Sequence, residues 1–263
     1  MHLDVVDLRS FYYRTKLGRM TKHVLQEALE RMWPDTRGQV VAGYGFAVPL
    51  LRPFLGTSER VISLMPGQQG VMPWPQGRPN LCCLVEETQW PIVAGTVDRL
   101  VIAHGLETCD NPNALFAEIW RVLSPGGSVI FVVPNRAGLW ARRDGTPFGY
   151  GRPYSVGQLE TQLRRHRFIP DRHVSALYTP PSQKRFWLRA SGMLERFGRR
   201  FGVGFGAGAH IVEATKQIYV KPKGGAAEAI KRPLEVLEGL THPGPKPEVA
   251  GRGGSRRDQA AKP

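Results

Sequence analysis

Two short segments of this chain carry residue types that are suited to chemistry. Gly43-Tyr44-Gly45 follows an apolar run, and glycines at such a point let the backbone turn tightly and approach a ligand closely. His104 follows a later apolar run, where an imidazole can exchange a proton near neutral pH. A structural loop histidine, or one that contacts a ligand through its backbone, has the same sequence context, so both interpretations of His104 stay open.

A strand–helix–strand unit at residues 96–135 must position His104. Residues 97–103 and 129–133 are apolar runs that predict buried strands. Between them, Asn111 and Pro112 are helix-start signals, and a Ser-Pro-Gly-Gly sequence ends the helical pattern. A unit of this length implies parallel pairing through a right-handed crossover.

The remaining pattern predicts an α/β fold, Rossmann-like and doubly wound, with a mostly parallel seven-stranded sheet. A late antiparallel strand pair is expected to close this sheet. The crossover between the second and third strands is rich in proline and glycine, which predicts an irregular connection. The further strands are predicted at residues 40–42, 61–65, 81–85, 175–178 and 209–220.

Three segments are expected along the chain. Residues 1–37 form an N-terminal helical cap, with an amphipathic helix at 17–33. Residues 38–220 form the α/β domain, which includes a helix at 154–167 with a capping box and a basic helical insertion near 183–201. Residues 221–263 are poor in aromatic residues and rich in charge, which predicts a disordered basic tail.

Charge and cysteine content limit the classes of partner and site. The 36 lysines and arginines against 22 acidic residues give a net charge of +14, which favours anionic partners but also occurs in ordinary soluble proteins. The three cysteines have no metal-like spacing, so no metal site is expected, and a reducing cytoplasm fits best. We expect no signal peptide or transmembrane segment.

The basic segment near 183–201 interleaves arginines with aromatic residues. Such a helix fits a peripheral position on an anionic membrane surface, a cover over an anionic substrate, or an ordinary helix with a solvated face. Nucleic-acid binding is a further alternative, although it rests on charge alone.

The glycine turn is compatible with two kinds of nucleotide cofactor. A dinucleotide site requires a third glycine and an acidic residue about 20 positions further on. Val48 occupies the third glycine position, and the second strand ends at Met65-Pro66 without an acid. A nicotinamide dinucleotide is therefore disfavoured.

Four motifs carry a resemblance to the class I methyltransferases. These are Gly43-x-Gly45, the Glu86-Glu87-Thr88 segment before Trp90-Pro91, the loop at 104–107, and residues 121–127. The segment that begins at Pro134 resembles an uncharacterised bacterial subgroup of the same family. The likeness covers roughly residues 38–135 and weakens beyond them.

The resemblance implies S-adenosylmethionine as cofactor and methyl transfer to an unidentified acceptor: a small molecule, a lipid-like compound or a protein. His104 is then the candidate general base. The residues expected at the cofactor are Gly43, Tyr44, Gly45, Met65, Pro66, Glu86, Glu87 and His104. The residues expected at the acceptor are Tyr12, Tyr13, Asn135, Arg136, Arg142 and Arg143.

Two positions depart from the family pattern. Val41 and Met65 stand where the family usually has acidic residues, the second of which grips the ribose hydroxyls. Losing that contact is expected to cost about 1–3 kcal/mol of binding free energy. A catalytically inactive relative that binds partners is therefore an alternative to a methyltransferase.

Overall fold

The computed structural model describes residues 3–201 and 206–217. It begins with a helical region made of α1 (Val5–Arg9), a π-helical turn (Ser10–Arg14) and α2 (Lys16–Met32). Thr15 caps α2 by accepting a hydrogen bond from the backbone N–H of Gly18. The buried side of α2 carries Leu25, Leu29 and Met32, whose spacing places them on one helical face.

A seven-stranded sheet forms the centre of the fold, in the order β3-β2-β1-β4-β5-β7-β6. All neighbours pair in parallel except β7, which runs antiparallel to both β5 and β6. The mostly parallel sheet and its late antiparallel pair are as predicted. The strands are β1 (Val40–Gly45), β2 (Arg60–Pro66), β3 (Cys82–Val85), β4 (Val97–Ala103), β5 (Leu123–Pro134), β6 (Phe168–Ala176) and β7 (Ala209–Lys216).

Helices cover both faces of the sheet, and the side chains of the central strands alternate between them. Val41 and Val101 belong to the hydrophobic cluster that includes α2, whereas Ala42 and Leu100 belong to the other cluster. Because both faces of the central strands are covered, these strands are mostly apolar along their length. The further helices are α3 (Val48–Leu51), a 3₁₀ turn (Arg52–Gly56), α4 (Pro112–Val122), α5 (Val156–Arg165) and α6 (Arg185–Phe201).

Two strand boundaries differ from the prediction in ways that affect the site. β1 continues through Gly45 instead of ending at Ala42, because Gly43, Tyr44 and Gly45 pair with the last residues of β4. β6 begins at Phe168 and not near residue 175. It is an edge strand with several exposed polar residues, so it lacks the apolar run by which the buried strands are recognised.

The connections follow the local sequence signals. The crossover from β2 to β3 is built of turns and irregular backbone over residues 67–81, as its prolines and glycines predict. Ser155 and Gln158 form the capping box of α5. None of the helices in the described ranges combines the length and apolar character that a membrane crossing requires. The predicted tail at 221–263 lies outside the described residues.

Candidate functional site

The carboxyl end of the parallel sheet brings the glycine turn against the end of β4. Gly45 has φ of +78°, and a Cβ there would overlap the carbonyl oxygen of Ala103. The backbone N–H of Phe46 donates to the same oxygen at 2.8 Å. Glycine at position 45 therefore allows β1 to leave the sheet in close contact with β4.

A buried polar array lies beside this turn, formed by Tyr12, His104 and Glu107. The Tyr12 hydroxyl is 2.7 Å from Nε2 of His104, and Nδ1 of His104 is 3.2 Å from Oε1 of Glu107. Tyr12, His104 and Glu107 are exposed by only 1%, 3% and 2%. The π-helical turn supplies Tyr12, and the end of β4 supplies the other two.

The backbone of His104 is held in an unusual conformation. Its φ of +53° lies in the left-handed region, which is costly for a residue with a side chain. The side-chain amide of Gln69, which follows β2, donates to the His104 carbonyl oxygen. This contact fixes the turn from which the imidazole projects.

The protonation of the array follows from its contacts. Burial, and secondarily the charge of Glu107, raises the pKa of Tyr12 well above its ordinary value. The phenol therefore keeps its proton, and its O–H group donates a hydrogen bond to Nε2 of His104. We accordingly assign the imidazole proton to Nδ1, the nitrogen that faces Glu107.

The Glu107 side chain places a buried carboxyl group beside His104. Neither carboxylate oxygen, nor Nδ1 of His104, makes a hydrogen bond within the described part of the chain. The 3.2 Å contact between them is close but is not aligned as a hydrogen bond. A buried carboxylate in this condition is costly, so the site is suited to a cationic group.

Aromatic side chains close the space around the array. Phe46 stacks on Tyr12 with ring centroids 5.9 Å apart, and Phe148 contacts the edge of His104 at 4.9 Å. Trp140 packs on Phe148. Both Tyr44 and Phe46 are buried, so the protein's own side chains fill the space next to the glycine turn.

These observations test the fit of S-adenosylmethionine, whose sulfonium and ammonium groups are cationic. The unsatisfied carboxylate of Glu107 beside a glycine turn fits such a group chemically. In this arrangement Tyr12 and Phe46 are stacked on each other and buried beside the array. Val41 and Met65 are buried apolar residues, exposed by 0% and 1%, so they contribute no ribose acceptor.

The acidic segment after β3 reaches the same edge of the sheet. The Glu87 carboxylate accepts from the backbone N–H of Asp110 at 3.2 Å, while its backbone carbonyl lies 3.4 Å from the Tyr44 hydroxyl. The Tyr44 ring stacks on Trp90 at 4.8 Å. Glu86 is exposed, and Pro66 is buried at the end of β2.

The residues predicted for the acceptor do not gather in one place. Only Tyr12 joins His104. The buried Asn135 amide donates to the Ala207 carbonyl oxygen at 2.8 Å, which ties the end of β5 to the start of β7. Arg136 lines an open groove with Arg152 and Tyr154.

The other three predicted residues lie apart from this groove. Arg142 and Arg143 are exposed around a short 3₁₀ turn, and Arg143 reaches the Pro181 carbonyl oxygen at 3.4 Å. Tyr13 lines a separate cavity with Arg9 and Arg52.

No role was predicted from the sequence for Glu107, Gln69, Phe46 or Phe148. The spacing of His104 and Glu107 by three residues was the one available signal for a pair. The contacts of Gln69 and Phe148 with His104 join distant parts of the chain, which no local pattern reveals.

Comparison with known proteins agrees with this fold. Residues 43–131, from the first glycine into β5, match the family described as "Methyltransferase domain". This match is consistent with the resemblance of the sequence to the class I methyltransferases, which use S-adenosylmethionine. No curated protein matches the chain.

Solved structures share the fold at low sequence identity. A Thermotoga maritima protein described as an S-adenosylmethionine-dependent methyltransferase is 15% identical, with a TM-score of 0.55, over 77% of this chain and 91% of its own. A chain of the Haloferax volcanii complex with the Trm112 methyltransferase activator is 13% identical, with a TM-score of 0.56, over 81% and 98%. The 4+2 cyclase SpnF is 17% identical, with a TM-score of 0.50, over 74% and 80%.

Proposed function

We propose that this protein transfers a methyl group from S-adenosylmethionine to an acceptor whose proton His104 removes. The observation that carries the proposal is the buried carboxylate of Glu107 in the loop after β4, for which residues 3–201 and 206–217 supply no hydrogen-bond donor. It lies next to an imidazole and a glycine turn, within a domain of the methyltransferase family. A cationic ligand at this place would offset the cost of the buried charge.

In this proposal His104 and Glu107 act on the acceptor's proton, and the glycine turn adjoins the cofactor. S-adenosylmethionine, when bound, supplies an activated methyl group, so alignment of the acceptor supplies much of the catalysis. The Gly43–Gly45 backbone, Met65, Pro66 and the Glu86-Glu87 segment are the residues that would surround the cofactor. His104 accepts the acceptor's proton at Nε2, and Glu107 stabilises the imidazolium that forms.

Binding requires Tyr12 to move, because its hydroxyl occupies Nε2 of His104 and its ring covers Phe46. Tyr12 lies on a π-helical turn, a distortion that is common at functional sites. The turn is short, and displacement of Ser10–Arg14 would uncover both His104 and Phe46.

Calorimetry with S-adenosylmethionine tests the cofactor. We expect binding by the wild-type protein and a loss of roughly tenfold in affinity in Glu107→Gln, since a charge-assisted contact is removed. Glu59→Gln, at an exposed position, is the matched control and should bind like the wild type. Absence of heat and of a thermal shift at millimolar cofactor would overturn the proposal.

That negative result would favour the alternative of a catalytically inactive relative. Two observations support this alternative: the aromatic closure of the cleft and the apolar residues at Val41 and Met65. The likeness to SpnF, which is named as a cyclase, is compatible with a fold that serves other chemistry.

We infer a second function, binding to an anionic membrane surface, from the outer face of α6. Phe186, Met193 and Phe197 are exposed by 71%, 62% and 59%, and their spacing of seven and four residues aligns them on one face. The adjoining stripe is basic and exposed, and consists of Arg185, Arg189, Arg196 and Arg200. An apolar stripe beside arginines is the pattern of a helix that lies in a lipid interface.

Co-sedimentation with phosphatidylglycerol vesicles tests the surface of α6. We expect binding that falls both in Phe186→Ser and in Arg189→Glu/Arg196→Glu. The matched control is Arg164→Glu/Arg165→Glu on α5, which changes the charge equally and should bind normally. The nucleic-acid alternative would be favoured if the wild-type protein bound random RNA but not vesicles, and if Phe186→Ser left the RNA binding unchanged.

A further inference from the structure

A second cavity lies apart from the Tyr12–His104–Glu107 array, and neither methyl transfer nor the α6 surface uses it. It has a volume of about 430 Å³, which is within the range of small-molecule sites. Its walls come from α1, the π-helical turn, the 3₁₀ turn after α3 and the irregular crossover at residues 72–78. Neither the array residues nor the glycine turn is among its lining residues.

The cavity is strongly basic. Arg9, Arg52 and Arg78 line it, whereas none of its described lining residues is acidic. None of the three guanidinium groups forms an ion pair within residues 3–201 and 206–217. Three arginines that converge without a counter-charge create a field that favours an anion, and their planar donors match phosphate oxygens.

A neighbouring lysine supports this view of the local charge. Nζ of Lys22 lies 5.3 Å from the centre of the Tyr13 ring, which itself lines the cavity. Desolvation, and then the charges of Arg52 and Arg19, lowers the pKa of Lys22. The contribution of Arg52 to this lowered pKa places the charge of its guanidinium near Lys22 and the Tyr13 ring.

The other walls of the cavity are flat and apolar. Trp74 and Tyr13 contribute aromatic rings, and Met72 and Pro75 contribute aliphatic surface. Trp74 is 3% exposed, so only a small part of its ring reaches the cavity, whereas Tyr13 is half-buried and offers more of its surface. Preformed aromatic walls beside arginines suit a ligand that combines a planar ring with an anionic group.

We propose that this cavity binds a small organic phosphate that carries an aromatic ring. The phosphate lies among Arg9, Arg52 and Arg78, and the ring packs against Tyr13 and Trp74. The cavity shares no lining residue with the array, so the proposal does not depend on methyl transfer, although Tyr13 lies on the turn that binding of the cofactor would displace.

Isothermal titration with 1-naphthyl phosphate tests the proposal, with 1-naphthol and inorganic phosphate as the two halves of the probe. We expect the phosphate ester to bind the full-length protein, and each half to bind at least tenfold more weakly. Arg52→Ala and Arg78→Ala should each weaken binding of the ester by roughly ten- to hundredfold, the effect of losing a charge-assisted hydrogen bond. Both arginines are exposed, so these variants should keep the melting temperature of the wild type.

Arg165→Ala is the matched control, since it removes an exposed arginine of α5 outside the cavity. An equal loss of affinity in this variant would overturn the proposal and assign the binding to general charge. Inorganic phosphate binding as tightly as the ester would remove the role of the ring. If the wild-type protein did not bind the ester, and Arg52→Ala bound phosphatidylglycerol vesicles less well than the wild type, the arginines would be assigned to a lipid headgroup. That result would overturn the proposal.

His104→Asn separates this site from the catalytic proposal. It should leave binding of the ester unchanged whether or not the protein binds S-adenosylmethionine. A parallel loss of ester binding in His104→Asn would place the ester in the cleft and contradict a separate cavity.

Discussion

Two acid–base pairs, each with a buried glutamate and a partner three residues away, lie near β4 and α4. In the first, the Glu118 carboxylate accepts from the backbone N–H of Trp90 and from Nη2 of Arg121, both at 2.7 Å, and from Nε of Arg121 at 2.8 Å. Arg121 also donates to the carbonyl oxygens of Ile92 and Trp90. In the second, the Glu107 carboxylate faces His104 and accepts no hydrogen bond in the described part of the chain.

This difference in hydrogen bonding indicates a structural role for the Glu118 pair and a functional role for the Glu107 pair. The Glu118 pair holds the segment before β4 against α4, and its polar atoms are satisfied, as expected for a structural network. The Glu107 pair keeps an unsatisfied charge at the carboxyl end of the sheet, where ligands of open α/β sheets bind. We therefore expect removal of the two carboxylates to affect stability with opposite signs.

Glu118→Ala should have the largest effect. It leaves the Trp90 N–H and part of the Arg121 guanidinium without their acceptor, which should lower the free energy of unfolding by about 2–4 kcal/mol. Urea denaturation measures the loss. The control is Glu160→Ala, which breaks an exposed pair with Arg164 and should cost no more than about 0.5 kcal/mol. Equal losses in the two variants would contradict a structural role for Glu118.

Glu107→Gln should change stability in the other direction. The amide removes a buried charge at nearly constant volume, which should raise the free energy of unfolding by about 1 kcal/mol while it weakens the cofactor. Thermal and urea unfolding without cofactor measure the change, and Glu118→Gln, which should lose stability, is the comparison. A destabilised Glu107→Gln would mean that the carboxylate has structural partners and that the contrast between the pairs is wrong.

Tyr12→Phe should have a smaller effect on stability. It removes the 2.7 Å contact with Nε2 of His104 and should cost about 1 kcal/mol. Tyr44→Phe is the matched control, because the Tyr44 hydroxyl is also on a buried ring but lies at the longer distance of 3.4 Å from the Glu87 carbonyl oxygen. Urea denaturation should therefore rank Tyr12→Phe as the more costly change, and the reverse order would argue against an ordered array.

The sequence predicted the parts of this comparison that local pattern determines. The bounds of β4 agree with its apolar run, and Asn111 and Pro112 begin α4 as their capping chemistry indicates. The carboxyl-end position of His104 followed from the strand order of a parallel sheet. β6 was placed too late, because an edge strand with polar residues has little of the apolar signal on which the prediction relied.

The hydrogen bonding of each pair could not be predicted from the sequence. Tyr12 was expected to cover the pocket, but its hydrogen bond to His104 joins residues 92 positions apart. The Glu118 carboxylate accepts a hydrogen bond from the backbone of Trp90, which is distant in sequence. Whether a donor reaches the Glu107 carboxylate is likewise decided by the tertiary fold. Both glutamates belong to an acid–base pair with the same spacing, so only the packing around them distinguishes their roles.

The pH dependence of the free energy of unfolding should show the smallest of these effects, and it concerns Glu118. Burial alone would raise the pKa of Glu118, but hydrogen bonds from Arg121 and from the Trp90 backbone outweigh it and lower the pKa below the ordinary value of 4.5. A carboxyl group whose pKa is lower in the folded state stabilises the protein above pH 4.5, and this contribution is lost as the pH falls through the folded value. The stability advantage of the wild type over Glu118→Gln should therefore shrink below pH 4.5. Urea denaturation between pH 6 and pH 3 measures it, and a constant difference would show that the Glu118 carboxylate gains nothing from its partners.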